Sequence, residues 1–277
     1  MHPETPSDPE RRSGEIPSGA FTYTEEGEGP ALVALHGLPG SARDFRWLGA
    51  ALPPTLRFIR LELPGFGSTP RTTEPRPDIL SRAAFVIRAL DALEIDTYTL
   101  LGHSMGGTVA LAVAAKDLDR CRSLALLASA GLRPHRLLRR AVPLRPVAGL
   151  VDHWLLGGPT TALIARVMGL FGFPASIPRS EFAHATRCVT ALEFALQRTH
   201  SESIRQRTLA AWSEDDPLIE RAVFEEHAAR LPPGPRLVWS SGGHNIQKTR
   251  ATELAGALVE LCRTGLGPGD GSLGRQA

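Results

Sequence analysis

The sequence predicts an α/β fold, with a mostly parallel central sheet flanked by helices and an inserted helical lid subdomain. Two observations carry this. Short apolar runs alternate with longer stretches whose apolar residues recur at three-and-four spacing, as strands and crossover helices do in βαβ units. The alternation stops between about Gly131 and Ser203, where Pro134, Pro143, Pro146, Pro159, Pro174 and Pro178 interrupt helical pieces such as Thr160–Leu170 and Glu181–Thr199. A chain of 277 residues, 42% of them hydrophobic, can bury such a core without disulfide or metal staples.

In chain order, residues 1–18 hold four prolines among charges and almost nothing to bury, so a disordered leader is expected. Ala31–Leu35, Arg57–Leu61, Tyr98–Leu101 and Ser123–Leu127 read as short buried strands, each followed by glycine, proline or serine punctuation. Thr208–Trp212 and Arg236–Trp239 are two later strands. Helical spacing covers Ala42–Leu52, Ile79–Leu93, Met105–Lys116, Ile219–Arg230 and Thr249–Cys262. The core is thus expected over residues 19–130 and 204–263, the lid over 131–203, and a second disordered tail over 264–277.

Composition narrows the partners. The formal net charge of +2 provides no cluster of cations for phosphate backbones, so nucleic acid is not an expected partner. Three cysteines with no C-x-x-C pair argue against a disulfide scaffold and against a thiolate zinc site, and fit a reducing, cytoplasmic setting. The N-terminus lacks the apolar core of a secretory signal, and no apolar run is long enough to span a membrane. Leu132–Pro174 carries six arginines against Asp152, so a membrane-surface role for the lid is one reading, and a solvated lid surface the preferred one.

The strongest chemical signal is Gly102-His103-Ser104-Met105-Gly106-Gly107, set between a buried strand and the Ala-rich helix that follows. A serine hydroxyl is a weak nucleophile unless it is held out of the sheet beside a base. A sharp strand-to-helix turn does this when the residues two places either side are small. Gly102 and Gly106 meet that demand. The same turn starts a helix, so the free N–H of Met105 can donate to a developing oxyanion.

With these residues the sequence resembles the α/β-hydrolase fold family, in its serine-nucleophile branch, over roughly residues 20 to 263. His36-Gly37-Leu38-Pro39-Gly40 resembles the family's H-G-x-P loop, which implies Leu38 N–H as the second oxyanion donor. Glu62-Leu63-Pro64-Gly65-Phe66-Gly67-Ser68 resembles its D-x-P-G-x-G-x-S turn, with Glu62 in place of Asp and Ser68 one place early; this turn and His36 are read as structural. The family places its acid and histidine after late strands, in that order. Ser213-Glu214-Asp215-Asp216-Pro217 resembles its G-x-x-D, and Ser240-Ser241-Gly242-Gly243-His244 its G-G-H loop. The expected set is therefore Ser104, Asp216 and His244. Asp215 is the alternative acid. Pro217 favours Asp216 by holding the residue before it extended.

The other histidines form no metal-ligand spacing, and His103 is expected to point away from the chemistry. No dinucleotide motif follows the first strand, so no cofactor is implied. Within the family, a serine at the elbow sets the chain apart from branches with an aspartate nucleophile, such as haloalkane dehalogenases and epoxide hydrolases. The insertion has neither the tyrosine of an epoxide hydrolase nor the lysine of a hydroxynitrile lyase. The expected function is hydrolysis of a carboxylic ester, on a small-molecule acyl substrate. Thioesterase, lactonase and carbon–carbon hydrolase activity, or a non-catalytic ligand-binding role, are the alternatives. Apolar side chains from Leu150 to Phe173 predict a preference for uncharged esters of medium acyl length, unless a lid arginine turns inward to clamp an anion.

Overall fold

The computed structural model describes residues 5–141, 149–170, 173 and 175–265. In chain order its strands are β1 (Arg11–Ile16), β2 (Gly19–Glu26), β3 (Ala31–Leu35), β4 (Arg57–Leu61), β5 (Tyr98–His103), β6 (Cys121–Leu127), β7 (Arg207–Ser213) and β8 (Arg236–Trp239). They form one sheet in the order β1-β2-β4-β3-β5-β6-β7-β8. Pairing is antiparallel for β1 with β2 and β2 with β4, and parallel from β4 to β8.

Parallel strands covered by helices on both faces are apolar along most of their length, and β3 shows why. Successive side chains leave a strand on opposite faces. Leu32 and Ala34 pack with Phe58, Leu101, Leu127 and Leu209 on one face, whereas Val33 and Leu35 pack with Ile59, Leu61, Leu100 and Leu126 on the other. The helices Ile79–Ala92 and Met105–Lys116 complete one of these layers, and Ala251–Gly265 completes the other.

Residues 11–16 correct the expected leader of residues 1–18. They form β1, an edge strand in a hairpin with β2 that runs from Arg11 opposite Thr24 to Ile16 opposite Gly19. Only Ile16 of this strand is buried. What holds the strand is backbone pairing and an ion pair from Arg12 to Glu25 at 2.6 Å, neither of which shows in hydrophobic composition. Residues 266–277 of the expected tail lie outside the described residues, while Thr264 and Gly265 continue the last helix.

Between β6 and β7 the described elements are helices: Arg136–Ala141, Gly157–Gly169, Arg179–Thr190 and Phe194–Ser203. The stretch expected as one helical piece over Glu181–Thr199 is broken at Glu193, whose extended φ of −113° and ψ of 98° end the continuity. This insertion is tied to the core by Arg82, which is fully buried on the helix Ile79–Ala92. Its Nη2 lies 2.7 Å from His184 Nε2 and 2.8 Å from Cys188 Sγ. Among the described residues, no helix is long and apolar enough to cross a membrane.

Candidate active site

β5 delivers Ser104 to the carboxyl edge of the sheet, and the helix Met105–Lys116 begins at the next residue. Ser104 has φ 53° and ψ −119°, a conformation that costs a non-glycine residue of order 1–3 kcal/mol. The turn is possible because the strand and helix touch through glycine. A Cβ on Gly102 would lie 2.4 Å from Gly106 O, and one on Gly106 would lie 2.3 Å from Leu35 O. Backbone bonds fix the elbow on its other side, with Ser104 N–H donating to Leu127 O at 2.9 Å.

Three separate loops meet at this turn. His244 Nε2 lies 2.9 Å from Ser104 Oγ, and its Nδ1 lies 2.7 Å from Asp216 Oδ2. Asp216 Oδ1 accepts the N–H groups of Leu218 at 2.8 Å and Ile219 at 3.0 Å, which locks the carboxylate's orientation. Burial works against the Asp216 charge, but the His244 contact and the two backbone donors outweigh it and hold the carboxyl below its ordinary pKa. Asp215, the alternative acid, does something else. Its carboxylate accepts Gly243 N–H at 2.8 Å and Gly242 N–H at 3.2 Å, and so shapes the loop that carries His244.

The loop after β3 brings Leu38 to the same cavity as Ser104 and Met105. A Cβ on Gly37 would sit 3.1 Å from Ser104 Cβ, so this loop packs directly on the elbow. His36 braces it, as expected: Leu63 N–H donates to Nε2 at 3.0 Å, which leaves Nδ1 to donate to Gly37 O at 2.7 Å. Glu62 accepts Ser68 N–H at 2.6 Å and closes the following turn.

His103 departs from the expectation that it points away. Its ring centroid lies 4.9 Å from that of His244, and its Nε2 lies 3.0 Å from His244 O. Because a peptide oxygen only accepts, His103 Nε2 donates there; burial, followed by the nearness of His244, pushes its pKa down to about 3, which favours the neutral ring. The sequence signal was only its place beside the nucleophile candidate, since the contact joins residues far apart in the chain.

The cavity in front of Ser104 has a volume of about 1000 Å³. Its apolar wall includes Ile164, Met168, Phe173, Phe182, Val189 and Leu192 from the insertion. Trp154, Leu155, Leu163 and Leu170, grouped with these in the sequence, face outward instead, and Trp154 is 88% exposed. Of the insertion's arginines, Arg133, Arg136, Arg139 and Arg166 do not line the cavity, and the Arg140 side chain lies outside the described residues. Arg133 pairs with Glu226 at 2.7 Å and Arg139 with Glu220 at 2.5 Å, and Arg166 is exposed. Arg145 and Phe171 lie outside the described residues.

Six histidines are buried and burial lowers the pKa of each, His200 included, which makes acid stability predictable. Burial is the main cause that pushes His36, His135, His184 and His227 down to about 4, and His103 to about 3, from 6.5. Above pH 6.5 both folded and unfolded chains leave them neutral; as pH falls from 6.5 toward 4, the unfolded chain takes up protons first and stability is lost. Asp44, raised to about 6 by burial, and Glu181, raised to about 7 by burial and then Glu62, act the other way, because their folded forms keep the proton. With the histidines outnumbering these acids, Tm is expected to fall steadily from pH 6.5 to pH 4. A Tm that holds or rises over that window overturns the assignment.

Comparison with known proteins gives a match to a profile described as the alpha/beta hydrolase fold, over residues 30–155. The chain is 28% identical over 251 residues to the dihydrolipoyllysine-residue acetyltransferase component of the acetoin cleaving system of Pseudomonas putida; the match covers 85% of this chain, which spans 64% of that protein's length. It is 24% identical over 260 residues to an uncharacterized hydrolase of Bacillus subtilis (strain 168), covering 88% of this chain and 95% of the relative. Among solved structures, a thermophilic esterase from Thermogutta terrifontis superposes with a TM-score of 0.73 at 20% identity, covering 92% of this chain and 99% of the other.

Proposed function

Because the chain belongs to the α/β-hydrolase fold family, we propose that it is a serine hydrolase that cleaves a carboxylic ester through Ser104, His244 and Asp216. The observation that carries this reading is the continuous relay of short contacts, 2.9 Å from Ser104 to His244 and 2.7 Å from His244 to Asp216, at the floor of an apolar cavity. With Nδ1 donating to Asp216, His244 Nε2 is free to take the Ser104 proton as Oγ attacks the ester carbonyl carbon. The carbonyl oxygen becomes an anion that the N–H groups of Leu38 and Met105 stabilise. As the tetrahedral intermediate collapses, His244 gives its proton to the departing alkoxide oxygen, leaving an acyl group on Ser104. Water, deprotonated by His244, then releases the acid and restores the hydroxyl.

The helical insertion acts as the lid of this site, and its apolar wall as the acyl pocket. A thioester, lactone or carbon–carbon bond would use the same acyl-enzyme steps, whereas a ligand-binding protein on this fold would leave Ser104 unreactive. The test is a fluorophosphonate probe followed by a screen of esters, thioesters and lactones. Labelling that maps to Ser104 is expected, and an unlabelled protein that also turns over no acyl compound refutes the reading.

Chain length tests the acyl pocket separately. Each buried methylene is worth about 0.8 kcal/mol, so kcat/KM should rise roughly fourfold per methylene until the pocket is full. Medium-chain esters should therefore outperform acetate esters. A clear preference for acetate would show that the apolar wall does not hold the acyl group.

A further inference from the structure

The cavity lining also includes cationic side chains. Arg46 stacks on Trp47 with Cζ 3.6 Å from the ring centroid, and Lys248 Nζ lies 4.5 Å from the same ring. All three residues line the cavity that contains Ser104. Their placement follows from the site's own loops: Arg46 and Trp47 open the first helix after the Leu38 loop, and Lys248 lies on the short helix Ile246–Thr249 just after His244.

Asp8 and Asp44 act on Arg46 from a distance, but neither closes to ion-pair contact with it. Arg43, their neighbour, pairs with Asp8 at 2.7 Å, but among the described residues no carboxylate forms an ion pair with Arg46 or Lys248. Arg46 Nη1 donates to Arg43 O at 3.0 Å, while its Nε is buried without an acceptor. Two like charges held against one indole repel each other, and an anion between them would relieve that repulsion. Asp44 and Glu181 also line the cavity, but Asp44 already accepts Ser41 N–H at 3.1 Å. Both carboxyls are pushed up by burial, to about 6 and about 7, so they hold their protons further toward neutrality than ordinary carboxyls.

We propose that Arg46, Trp47 and Lys248, which the core and not the insertion contributes to the cavity lining, form a binding platform for a phosphate group on the substrate. Two cations from separate segments match the near-double charge of a phosphate monoester better than a single carboxylate. On the acyl-hydrolase reading above, on which this proposal rests, the substrate then has two ends: an apolar acyl chain against the insertion and a phosphate on the part that departs. Such a phosphate can belong to a glycerol phosphate headgroup or to a phosphopantetheine arm.

Two measurements test this. The first titrates inorganic pyrophosphate into the intact protein calorimetrically. Saturable binding is expected, weakened about tenfold or more in the Arg46→Gln/Lys248→Gln double variant, since two partly exposed ion pairs of up to about 1 kcal/mol each are removed. The Tm of the double variant should match the parent's, which separates a lost site from a lost fold. Absent binding, or equal binding in both proteins, overturns the platform.

The second compares octanoylglycerol 3-phosphate with octanoylglycerol, and octanoyl-phosphopantetheine with octanoyl-pantetheine. In at least one pair the phosphate-bearing member should have a kcat/KM about tenfold higher, through KM, and this ratio should fall toward one in the double variant and in high salt. The pair that shows the ratio identifies the source of the phosphate. A ratio near one in both pairs for the parent enzyme overturns the proposed substrate. If no acyl compound is hydrolysed while pyrophosphate binds the parent and not the variant, the acyl-hydrolase reading fails and the anion platform stands.

Discussion

Ser104→Ala and His244→Ala are each expected to lower kcat by about 10⁴-fold or more, and the double variant to cost little beyond either one, because nucleophile and base act as a unit. Steady-state kinetics on the best ester from the screen measures this, with circular dichroism and Tm as controls for folding. The fold should tolerate both changes. Alanine at 104 loses only the Oγ that meets His244 at 2.9 Å, and His244 keeps its place in the loop through its backbone oxygen, which accepts from His103 at 3.0 Å. Near-native turnover by Ser104→Ala would end the proposed mechanism.

The second largest effect separates two adjacent acids. Asp216→Asn is expected to reduce kcat by roughly 10²- to 10⁴-fold, because an amide in that position no longer fixes the histidine with Nε2 free and no longer balances the imidazolium. Asp215→Asn should stay within about tenfold, since its carboxylate receives donors from Gly242, Gly243 and Ser213 but does not touch His244, and one oxygen acceptor survives in the amide. The same substrate and pH serve for both variants. The reverse ranking would transfer the acid's role to Asp215.

Much of this arrangement was legible in the sequence because its determinants are local. The turn at Ser104 is written in Gly102 and Gly106, and β3, Ala-Leu-Val-Ala-Leu, announces itself as a run with no polar interruption. The acid and histidine expected after β7 and β8 were legible through the family resemblance, which implies that order. What could not be read is set by contacts across the chain. β1 is held by pairing with β2 and not by burial, so its charged residues looked like a disordered leader. His103 acquires its role only when the His244 loop arrives against it, and the meeting of Arg46 and Lys248 at Trp47 joins opposite ends of the sequence. The insertion's arginines were ambiguous for the same reason: whether a guanidinium faces a cavity or a glutamate depends on Glu220 and Glu226, which lie far downstream.

The elbow also governs how this chain can change over generations. The clashes that a Cβ would create at Gly102 and Gly106 are with main-chain atoms, which have no alternative position, so those two sites are closed to every other residue whatever reaction is run. Position 104 is under the opposite regime. Its backbone, at φ 53°, suits glycine better than serine, and on the proposed mechanism only the reaction rewards keeping a hydroxyl there. A descendant relieved of selection for hydrolysis would therefore drift first at 104 and gain stability in doing so, while the glycines around it stayed put as an inheritance of the fold.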